Sequence, residues 1–292
     1  MNILVLGGSG FIGRNLVDYF KEEYQISAPT HEELELLDEG AVKSYFDSHK
    51  FDVVIHCAVR PGHRNAKDSS NQLYNNLRMF FNIARNSGKF GKLIFLSSGA
   101  VYDVTRSLVK VKEEDFDTVI PSDEHGFSKY IIAKYIEKMS NAVELRIFGI
   151  FGKYEDYAIR FISNAICKAL FNLPITIRQS RKLSYFLVDD LMPVINYFIN
   201  NNPRYRVYNV TPDEPIKISD LANMVKKNSG KNVPIIINGK TMGVEYSGDN
   251  SRLRGEITDL SITPIDVAIE KLYKWYAENS SLINKQLLLI DK

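Results

Sequence analysis

The chain has 292 residues, 45% of them hydrophobic, and its 37 Lys and Arg residues nearly balance its 35 Asp and Glu residues. This length allows one large α/β core with a smaller appended lobe, and the balanced charge argues against a nucleic-acid polymer or a membrane surface as a partner. No apolar run approaches the roughly 18 residues of a membrane span and no signal peptide precedes the first glycines, so we expect a cytoplasmic protein.

The two cysteines, Cys57 and Cys167, lie in apolar stretches without metal-ligand spacing. Thiols in such surroundings usually behave as small buried hydrophobic groups. We therefore expect neither a disulfide nor a metal site.

Short apolar runs alternate with amphipathic stretches through the first half of the chain. This alternation predicts an α/β fold with a doubly wound parallel sheet. The predicted strands are residues 3–6, 24–27, 53–56, 93–96 and 143–148. The predicted helices between them are residues 11–21, 40–48, 71–86 and 126–139.

The second half of the chain predicts a smaller lobe. We expect residues 1–150 to form the sheet domain and residues 151–292 to form an interleaved C-terminal lobe that caps the sheet. A return segment of about 183–210 is expected to rejoin the sheet domain. The predicted elements of this half are a helix over 156–170 and strands over 175–177, 185–188 and 207–210.

A glycine-rich loop joins the first predicted strand to the first predicted helix. It reads Gly-Gly-Ser-Gly-Phe-Ile-Gly over residues 7–13. Only a residue without a Cβ lets the backbone turn this tightly and approach a pyrophosphate, whose charge is stabilised by the amides of a helix N-terminus. The glycines are spaced by three and three, which is one residue wider than the usual G-x-G-x-x-G. The loop predicts a Rossmann-like dinucleotide site.

Three further segments follow the glycine loop. They are Thr-His-Glu-Glu-Leu-Glu-Leu-Leu-Asp at 30–38, Ser-Ser-Gly-Ala-Val-Tyr at 97–102, and Pro-Ser-Asp-Glu-His-Gly-Phe-Ser-Lys at 121–129. Together they resemble the extended short-chain dehydrogenase/reductase family of NAD(P)-dependent nucleotide-sugar epimerases, dehydratases and reductases. The likeness covers nearly the whole chain, and segment 30–38 is nearest the branch of GDP-fucose synthases and dTDP-4-dehydrorhamnose reductases.

The resemblance implies a catalytic group of three residues. Ser98 takes the place of the hydroxyl that hydrogen-bonds the reacting sugar oxygen, and Lys129 takes that of the lysine that holds the nicotinamide ribose. His125 stands where the family has its catalytic tyrosine. Imidazole is able to transfer protons near pH 6.5, but it is shorter than phenol, and Lys129 disfavours its protonation. We expect His125 to be the proton relay or a substrate contact.

A second Tyr-x-x-x-Lys pattern, Tyr130 and Lys134, begins five residues later. At roughly 100° per helical residue, this offset turns the side chains about 140° from the face of Lys129. We therefore expect Tyr130 to be a packing or dimer-contact residue. Whether this pair substitutes for His125 stays open.

The cofactor preference is set at the end of the second predicted strand, where an acidic residue usually binds the 2′-hydroxyl of NAD. Residues 29–31 are Pro-Thr-His. Arg14 and His31 are instead placed to face a 2′-phosphate, which predicts NADP, with NAD as the alternative. By the resemblance, Asp38 meets the adenine and Ala58 packs near the cofactor. The expected cofactor contacts are Gly7, Gly10, Phe11, Ile12, Gly13, Arg14, His31, Leu37, Asp38, Ala58 and Lys129.

The substrate side departs from the family a second time at Gly149, where the family has an asparagine that contacts the substrate. Arg178, Arg181 and Arg252 are candidates for the diphosphate of a nucleotide sugar, because guanidinium forms paired bonds with phosphate oxygens. We also expect the loop of residues 60–64 to lie over the site.

These observations predict NADP-dependent reduction of a nucleotide-linked 4-keto-6-deoxy sugar, by hydride transfer from nicotinamide to the carbonyl carbon. One alternative is an NAD-dependent nucleotide-sugar 4-epimerase. The other is a non-catalytic NAD(P)-binding protein, which the histidine at 125 and the glycine at 149 motivate. Apolar and aromatic residues on helices 71–86 and 126–139 predict a homodimer.

Overall fold

The computed structural model describes residues 1–61 and 70–290. Within these residues the strands are β1 (Asn2–Leu6), β2 (Gln25–Ser27), β3 (Phe51–His56), β4 (Phe90–Ser98), β5 (Leu108–Val111), β6 (Ala142–Ile147), β7 (Gly149–Phe151), β8 (Ile175–Ile177), β9 (Lys182–Leu183), β10 (Tyr185–Leu187), β11 (Val207–Val210), β12 (Ile216–Lys217), β13 (Ile235–Ile237) and β14 (Tyr246–Gly248). The α-helices in the same residues are α1 (Phe11–Phe20), α2 (Glu39–Ser48), α3 (Gln72–Ala84), α4 (Glu124–Ile136), α5 (Phe161–Leu170), α6 (Val188–Asn200), α7 (Ile218–Ser229), α8 (Ser251–Glu256) and α9 (Ile265–Glu278).

Six parallel strands form the main sheet of the described residues, in the order β11-β6-β4-β3-β1-β2. The predicted doubly wound parallel sheet is therefore confirmed. Helices α1 and α6 pack on one face of the sheet, and α2, α3 and α4 pack on the other. Because both faces are covered, the strands carry near-continuous apolar runs, and all four apolar residues of β1 are buried.

The strand order reverses at β1. Strand β2 pairs on one side of β1 and β3 pairs on the other, so that Leu4 lies between Ser27 and Val54. The connections that leave the carboxyl ends of these strands therefore run in opposite directions and open a crevice. In open α/β sheets, such a crevice is where ligands bind.

The smaller lobe has its own core, in which α5, α7 and α9 pack with β8 and β13. Strand β11 belongs instead to the main sheet, where Tyr208 pairs with Leu145 of β6. The chain between β6 and β11 thus leaves the main sheet and returns to it. None of the helices in the described residues has the length and apolar character needed to cross a membrane.

The predicted helix over 156–170 was wrong at its start, because α5 begins at Phe161. The Asp156 carbonyl oxygen accepts a hydrogen bond from the amide of Ile159 at 3.1 Å, and the Asp156 carboxylate accepts one from the amide of Ala158 at 3.0 Å. Such local bonds give the backbone an alternative to the helix. The residues before Phe161 therefore form turns.

A buried ion pair lies on β6. Arg146 is 1% exposed, and its guanidinium donates to Glu144 at 3.0 and 3.1 Å and to the Tyr102 hydroxyl at 2.9 Å. The Tyr102 hydroxyl in turn donates to the Asn209 side chain on β11 at 2.8 Å. Buried charges are tolerated when they are paired and hydrogen-bonded in this way. The network ties β11 and the segment after β4 to β6.

His56 is buried at the end of β3, where it is 2% exposed and its ring centre lies 5.4 Å from that of Phe95. Burial, with a smaller effect from the charge of Lys129, lowers the pKa of His56 to about 3. In an unfolded chain, histidine titrates near 6.5. The unfolded state therefore takes up this proton first as the pH falls, which destabilises the folded state below about pH 6.5.

We expect the free energy of unfolding of His56→Phe to fall less than that of wild type as the pH is lowered. The phenyl ring keeps the packing on Phe95 and has no proton to take up. Between about pH 6.5 and 4, wild type should lose about 3 kcal/mol more of its free energy of unfolding than this variant. Urea unfolding at several pH values measures the difference, with the exposed His49→Phe as the control. Equal slopes for wild type and His56→Phe would contradict the prediction.

Candidate active site

The glycine loop between β1 and α1 is built by close backbone contacts. Gly7 has φ +87°, and a Cβ on Gly13 would overlap the Gly7 carbonyl oxygen. That carbonyl oxygen accepts a hydrogen bond from the amide of Gly10 at 3.0 Å. No side chain of the described residues caps α1 at Gly10. The first amides of the helix, including those of Phe11 and Ile12, are therefore left for an anion such as a pyrophosphate.

The residues that follow β3 pack against this loop. A Cβ on Gly7 would lie 2.7 Å from the Cα of Ala58, which places Ala58 beside the glycines. The Cys57 thiol donates to the Leu6 carbonyl oxygen at 3.0 Å, and burial raises the pKa of this thiol to about 12. Cys57 is therefore a protonated, structural thiol at neutral pH.

Leu37 and Asp38 lie at the start of α2. The Asp38 carboxylate caps the helix by accepting from the amide of Ala41 at 3.0 Å, and the Leu37 carbonyl oxygen accepts from Arg78 Nε at 3.4 Å. The cap uses one carboxylate oxygen of an exposed side chain. The contact of Asp38 with adenine stays a prediction that is compatible with capping.

Arg14 and His31, the residues expected at a 2′-phosphate, both have other partners. The Arg14 guanidinium carbon lies 3.9 Å from the ring centre of Tyr154. The His31 ring pairs with the Glu35 carboxylate at 3.3 Å. These contacts give each side chain a partner without a phosphate, which the sequence analysis missed. The preference for NADP stays a prediction.

Ser98 ends β4 at the carboxyl edge of the sheet, and a short 3₁₀ turn over Gly99–Tyr102 follows it. Its hydroxyl oxygen accepts a hydrogen bond from the amide of Ala100 at 3.2 Å. The start of α4 packs on this turn, since a Cβ on Gly126 would lie 2.7 Å from the Ala100 carbonyl oxygen. The segments around Ser98 and at the start of α4 are therefore adjacent in space.

Lys129 reaches from α4 to the same strand. It is 6% exposed, and its ammonium nitrogen donates to the Leu96 carbonyl oxygen at 3.2 Å and lies 4.5 Å from the Phe95 ring centre. Burial lowers the pKa of Lys129 to about 8, while the charge of Glu144 opposes this shift. Lys129 is therefore mostly cationic near pH 7. Its N–H donors beyond the one on Leu96 are left for a ligand.

His125 lies in the first turn of α4 and is partly buried. Burial, with a smaller effect from the charge of Lys129, lowers the pKa of His125 to about 4, while Asp123 opposes this shift. The imidazole is therefore neutral near pH 7 and does not act as a charged acid. A neutral ring still donates one N–H hydrogen bond. The role of His125, as proton relay or as substrate contact, stays a prediction.

The second Tyr-x-x-x-Lys pattern has a different set of partners. The Tyr130 hydroxyl and the Lys134 ammonium group both donate to the Asp117 carboxylate. The Tyr130 ring also packs on that of Phe116, with ring centres 5.3 Å apart. Because Lys129 reaches β4 instead, the two patterns lie on different faces of α4.

Tyr246, on β14, is a residue of this region that the sequence analysis missed. Its hydroxyl oxygen lies 3.4 Å from Ser98 Oγ. Its ring centre lies 5.0 Å from that of Phe148. The chain has 16 tyrosines, and no neighbouring motif distinguishes this one. The sequence held only an indirect indication of its role. With a histidine at position 125, the site lacks the tyrosine that the family resemblance predicts.

Two positions on the substrate side have contacts that the sequence did not predict. Arg252 pairs with the carboxylates of Glu113 and Glu114, and its contact with a diphosphate stays a prediction. A Cβ at Gly149 would overlap the Ser184 carbonyl oxygen. The departure from asparagine at this position is therefore required by packing.

Two other expectations concern the rim of the site. Arg178 and Arg181 are both exposed. The positive charge of Arg181 favours the ionised form of Tyr246, which indicates that this guanidinium lies near the site. The diphosphate contacts of Arg178 and Arg181 stay predictions. Of the loop expected to lie over the site, residues 62–64 lie outside the described residues.

The sequence matches the NAD-dependent epimerase/dehydratase family over residues 3–211. Among curated proteins, GDP-L-colitose synthase of Yersinia pseudotuberculosis is 24% identical over 224 residues, which cover 69% of this chain and 73% of that protein. The resemblance to nucleotide-sugar enzymes is therefore confirmed.

Solved structures of nucleotide-sugar enzymes share the fold. GDP-mannoheptose C4 reductase of Campylobacter jejuni, with NADP bound, has a TM-score of 0.79 at 22% identity, covering 94% of this chain and 98% of that one. UDP-glucose 4-epimerase of Thermus thermophilus, in complex with NAD, has a TM-score of 0.80 at 18% identity, covering 95% and 99%. The matched region contains the glycine loop, Ser98 and Lys129, and the protein therefore belongs to the NAD-dependent epimerase/dehydratase family.

Proposed function

We propose that this protein reduces a nucleotide-linked 4-keto-6-deoxy sugar with NADPH. The observation that carries the proposal is the arrangement of Ser98, Lys129 and the uncapped start of α1 along the carboxyl ends of β4 and β1, which flank β3 in the sheet. These groups offer a hydroxyl for a carbonyl oxygen, a cation for a ribose and amides for a pyrophosphate.

The glycine loop fits a dinucleotide. Gly7 and Gly13 bring two backbone segments into contact where any Cβ would intrude, and the first amides of α1 are free of a side-chain cap within the described residues. A bound reduced nicotinamide supplies the hydride. In this chain Lys129 would hold its ribose hydroxyls, and Asp38 and Ala58 would contact the rest of the cofactor.

The substrate is held by groups at the end of β4 and on the rim. The Ser98 hydroxyl donates to the sugar carbonyl oxygen and stabilises the negative charge that develops there during hydride transfer. The neutral His125 ring adds an N–H hydrogen bond to the sugar. Arg181 pairs with the diphosphate, to which a guanidinium forms two parallel bonds.

The choice of NADPH and of reduction has two supports. Residues 29–31, after β2, carry no acid that would repel a 2′-phosphate. The Campylobacter relative is a C4 reductase solved with NADP, and the Yersinia relative is a synthase of a GDP-linked sugar. The C4 reductase is an example of the proposed type of reaction on this fold.

Two other functions remain candidates. An NAD-dependent 4-epimerase shares this fold, and its first step needs a base that removes a proton from a sugar hydroxyl. With the pKa of His125 lowered to about 4, this imidazole is a weak base for that step. The histidine at 125 also favours the third candidate, a protein that binds NAD(P) without turnover.

The proposed cofactor site predicts that calorimetric titration shows binding of NADPH in preference to NADH. In Gly13→Ala the added methyl group overlaps the Gly7 carbonyl oxygen, so we expect this variant to lose NADPH binding. Gly88→Ala is the matched control, because its Cβ would meet open space. In the same samples, absorbance at 340 nm should fall when a GDP-, dTDP-, CDP- or UDP-linked 4-keto-6-deoxy sugar is added.

Two other results would contradict parts of the proposal. Binding of NADPH without oxidation by any of these sugars would overturn the reductase and favour the epimerase or the protein without turnover. Equal binding by Gly13→Ala and wild type would remove the glycine loop from the cofactor site.

We expect His125→Gln to raise the KM for the sugar about tenfold and to change kcat less than about threefold. One hydrogen bond that is equally strong in the ground state and the transition state acts on KM in this way. Steady-state kinetics measure both constants, with His49→Gln as the control. A loss of kcat of about 100-fold at constant KM would instead make His125 the proton donor.

We propose that the protein is a homodimer that pairs through α3 and α4. These helices contact each other and carry Tyr74 and Tyr135, which are 64% and 40% exposed. Large exposed aromatic groups on adjacent helices favour a protein contact. Analytical ultracentrifugation at micromolar concentration should give twice the mass of the chain, and Tyr74→Lys should shift the mass toward the monomer. A monomeric wild type would contradict the proposal.

A further inference from the structure

We propose that Tyr246 supplies the proton of the reduction through the Ser98 hydroxyl. The inference rests on the proposed function. It assigns the role of proton donor to a tyrosine from another part of the chain, because position 125 holds a histidine. Tyr246 is a positioning and proton-supplying residue in this scheme, because it acts on the sugar through Ser98.

The Ser98 hydroxyl has two neighbours in this structure. Its oxygen accepts a hydrogen bond from the Ala100 amide at 3.2 Å and lies 3.4 Å from the Tyr246 oxygen. A hydroxyl oxygen has two lone pairs, so Ser98 is able to accept from Tyr246 as well as from Ala100, which leaves its own proton for a ligand. In this arrangement the path from Tyr246 to Ser98 ends in one donor at the carboxyl edge of the sheet.

Packing holds Tyr246 in this position. Its ring lies on that of Phe148, and β14 pairs with both β5 and β9, where Tyr246 is opposite Leu108 and Leu183. A donor that is already fixed before the substrate binds needs little reorganisation during the reaction. The contact with Ser98 is therefore part of the folded core of the site.

The proposed step balances protons and electrons. The carbonyl carbon gains hydride, and the π electrons of the C=O bond move to the oxygen. That oxygen takes the Ser98 proton, and Ser98 takes the Tyr246 proton. The tyrosinate is stabilised by the Gly99 amide and the charge of Arg181 and regains a proton from solvent. The net reaction consumes one NADPH, one carbonyl and one proton.

The protonation state of the Tyr246 hydroxyl agrees with the role of a proton donor. Burial raises the pKa of Tyr246 to about 12, while the Ser98 hydroxyl, the charge of Arg181 and the Gly99 amide oppose this shift. The phenol therefore carries its proton near pH 7. An epimerase would need the same group to begin as a base, so this assignment belongs to the reductase.

Tyr246→Phe tests the role of the hydroxyl, because the ring that packs on Phe148 is kept. We expect kcat for NADPH oxidation to fall at least about 100-fold, with the KM for the sugar within about threefold and the NADPH affinity unchanged. Deuterium at nicotinamide C4 should then slow the variant more than wild type, because the chemical step has become limiting. Tyr130→Phe removes a hydroxyl that binds Asp117 and should keep the wild-type kcat.

A double-mutant cycle with Ser98→Ala separates one proton path from two independent effects. In the Ser98→Ala background, Tyr246→Phe should add less than about a threefold loss, because residues that act as a unit are not additive. Full kcat in Tyr246→Phe, or losses that multiply in the double variant, would overturn the inference. A parallel loss of NADPH affinity would make Tyr246 a structural residue and overturn it too.

The same measurements distinguish this inference from the proposed function. If wild type oxidises NADPH with none of the 4-keto sugars, the reductase itself is overturned, and the role of Tyr246 with it. If wild type is active and Tyr246→Phe is equally active, only the role of Tyr246 is overturned.

Discussion

The buried ammonium group of Lys129 is the constraint on which the active-site edge depends. A charged amine is costly to bury, and here the Leu96 carbonyl oxygen and the charge of Glu144 compensate it. To keep that bond, α4 must lie against the end of β4, with its first turn on the segment that follows Ser98. The positions of Ser98 and His125 relative to each other follow from this docking of one helix on one strand.

Much of this edge is predictable from the sequence because its chemistry is local. The glycine loop needs seven consecutive residues, and the motifs of Ser98 and Lys129 each lie within one short segment. The parallel sheet likewise follows from the alternation of apolar runs and amphipathic stretches. In all of these cases, spacing along the chain determines spacing in the folded protein.

The features of the site that are not predictable from the sequence depend on contacts between side chains that are far apart along the chain. Tyr246 meets Ser98 across 148 positions, through a three-residue strand whose neighbours are β5 and β9. Arg252 is neutralised by Glu113 and Glu114, although its sequence surroundings suggested a free guanidinium. Neither contact leaves a period or a motif in the sequence. Function was therefore predictable to the level of the family, while the assignment of the proton donor needed the fold.

Strand β11 reaches its partner late in synthesis. Strand β6 ends at Ile147 and β11 begins at Val207, so residues 148–206 must leave the ribosome while the outer edge of β6 has no β11 beside it. At about 5 to 20 residues per second, this interval lasts roughly 3 to 12 s. An unpaired strand edge is a template for pairing with the wrong chain. During this interval the outer edge of β6 is therefore open to mispairing, which ends when β11 pairs with it.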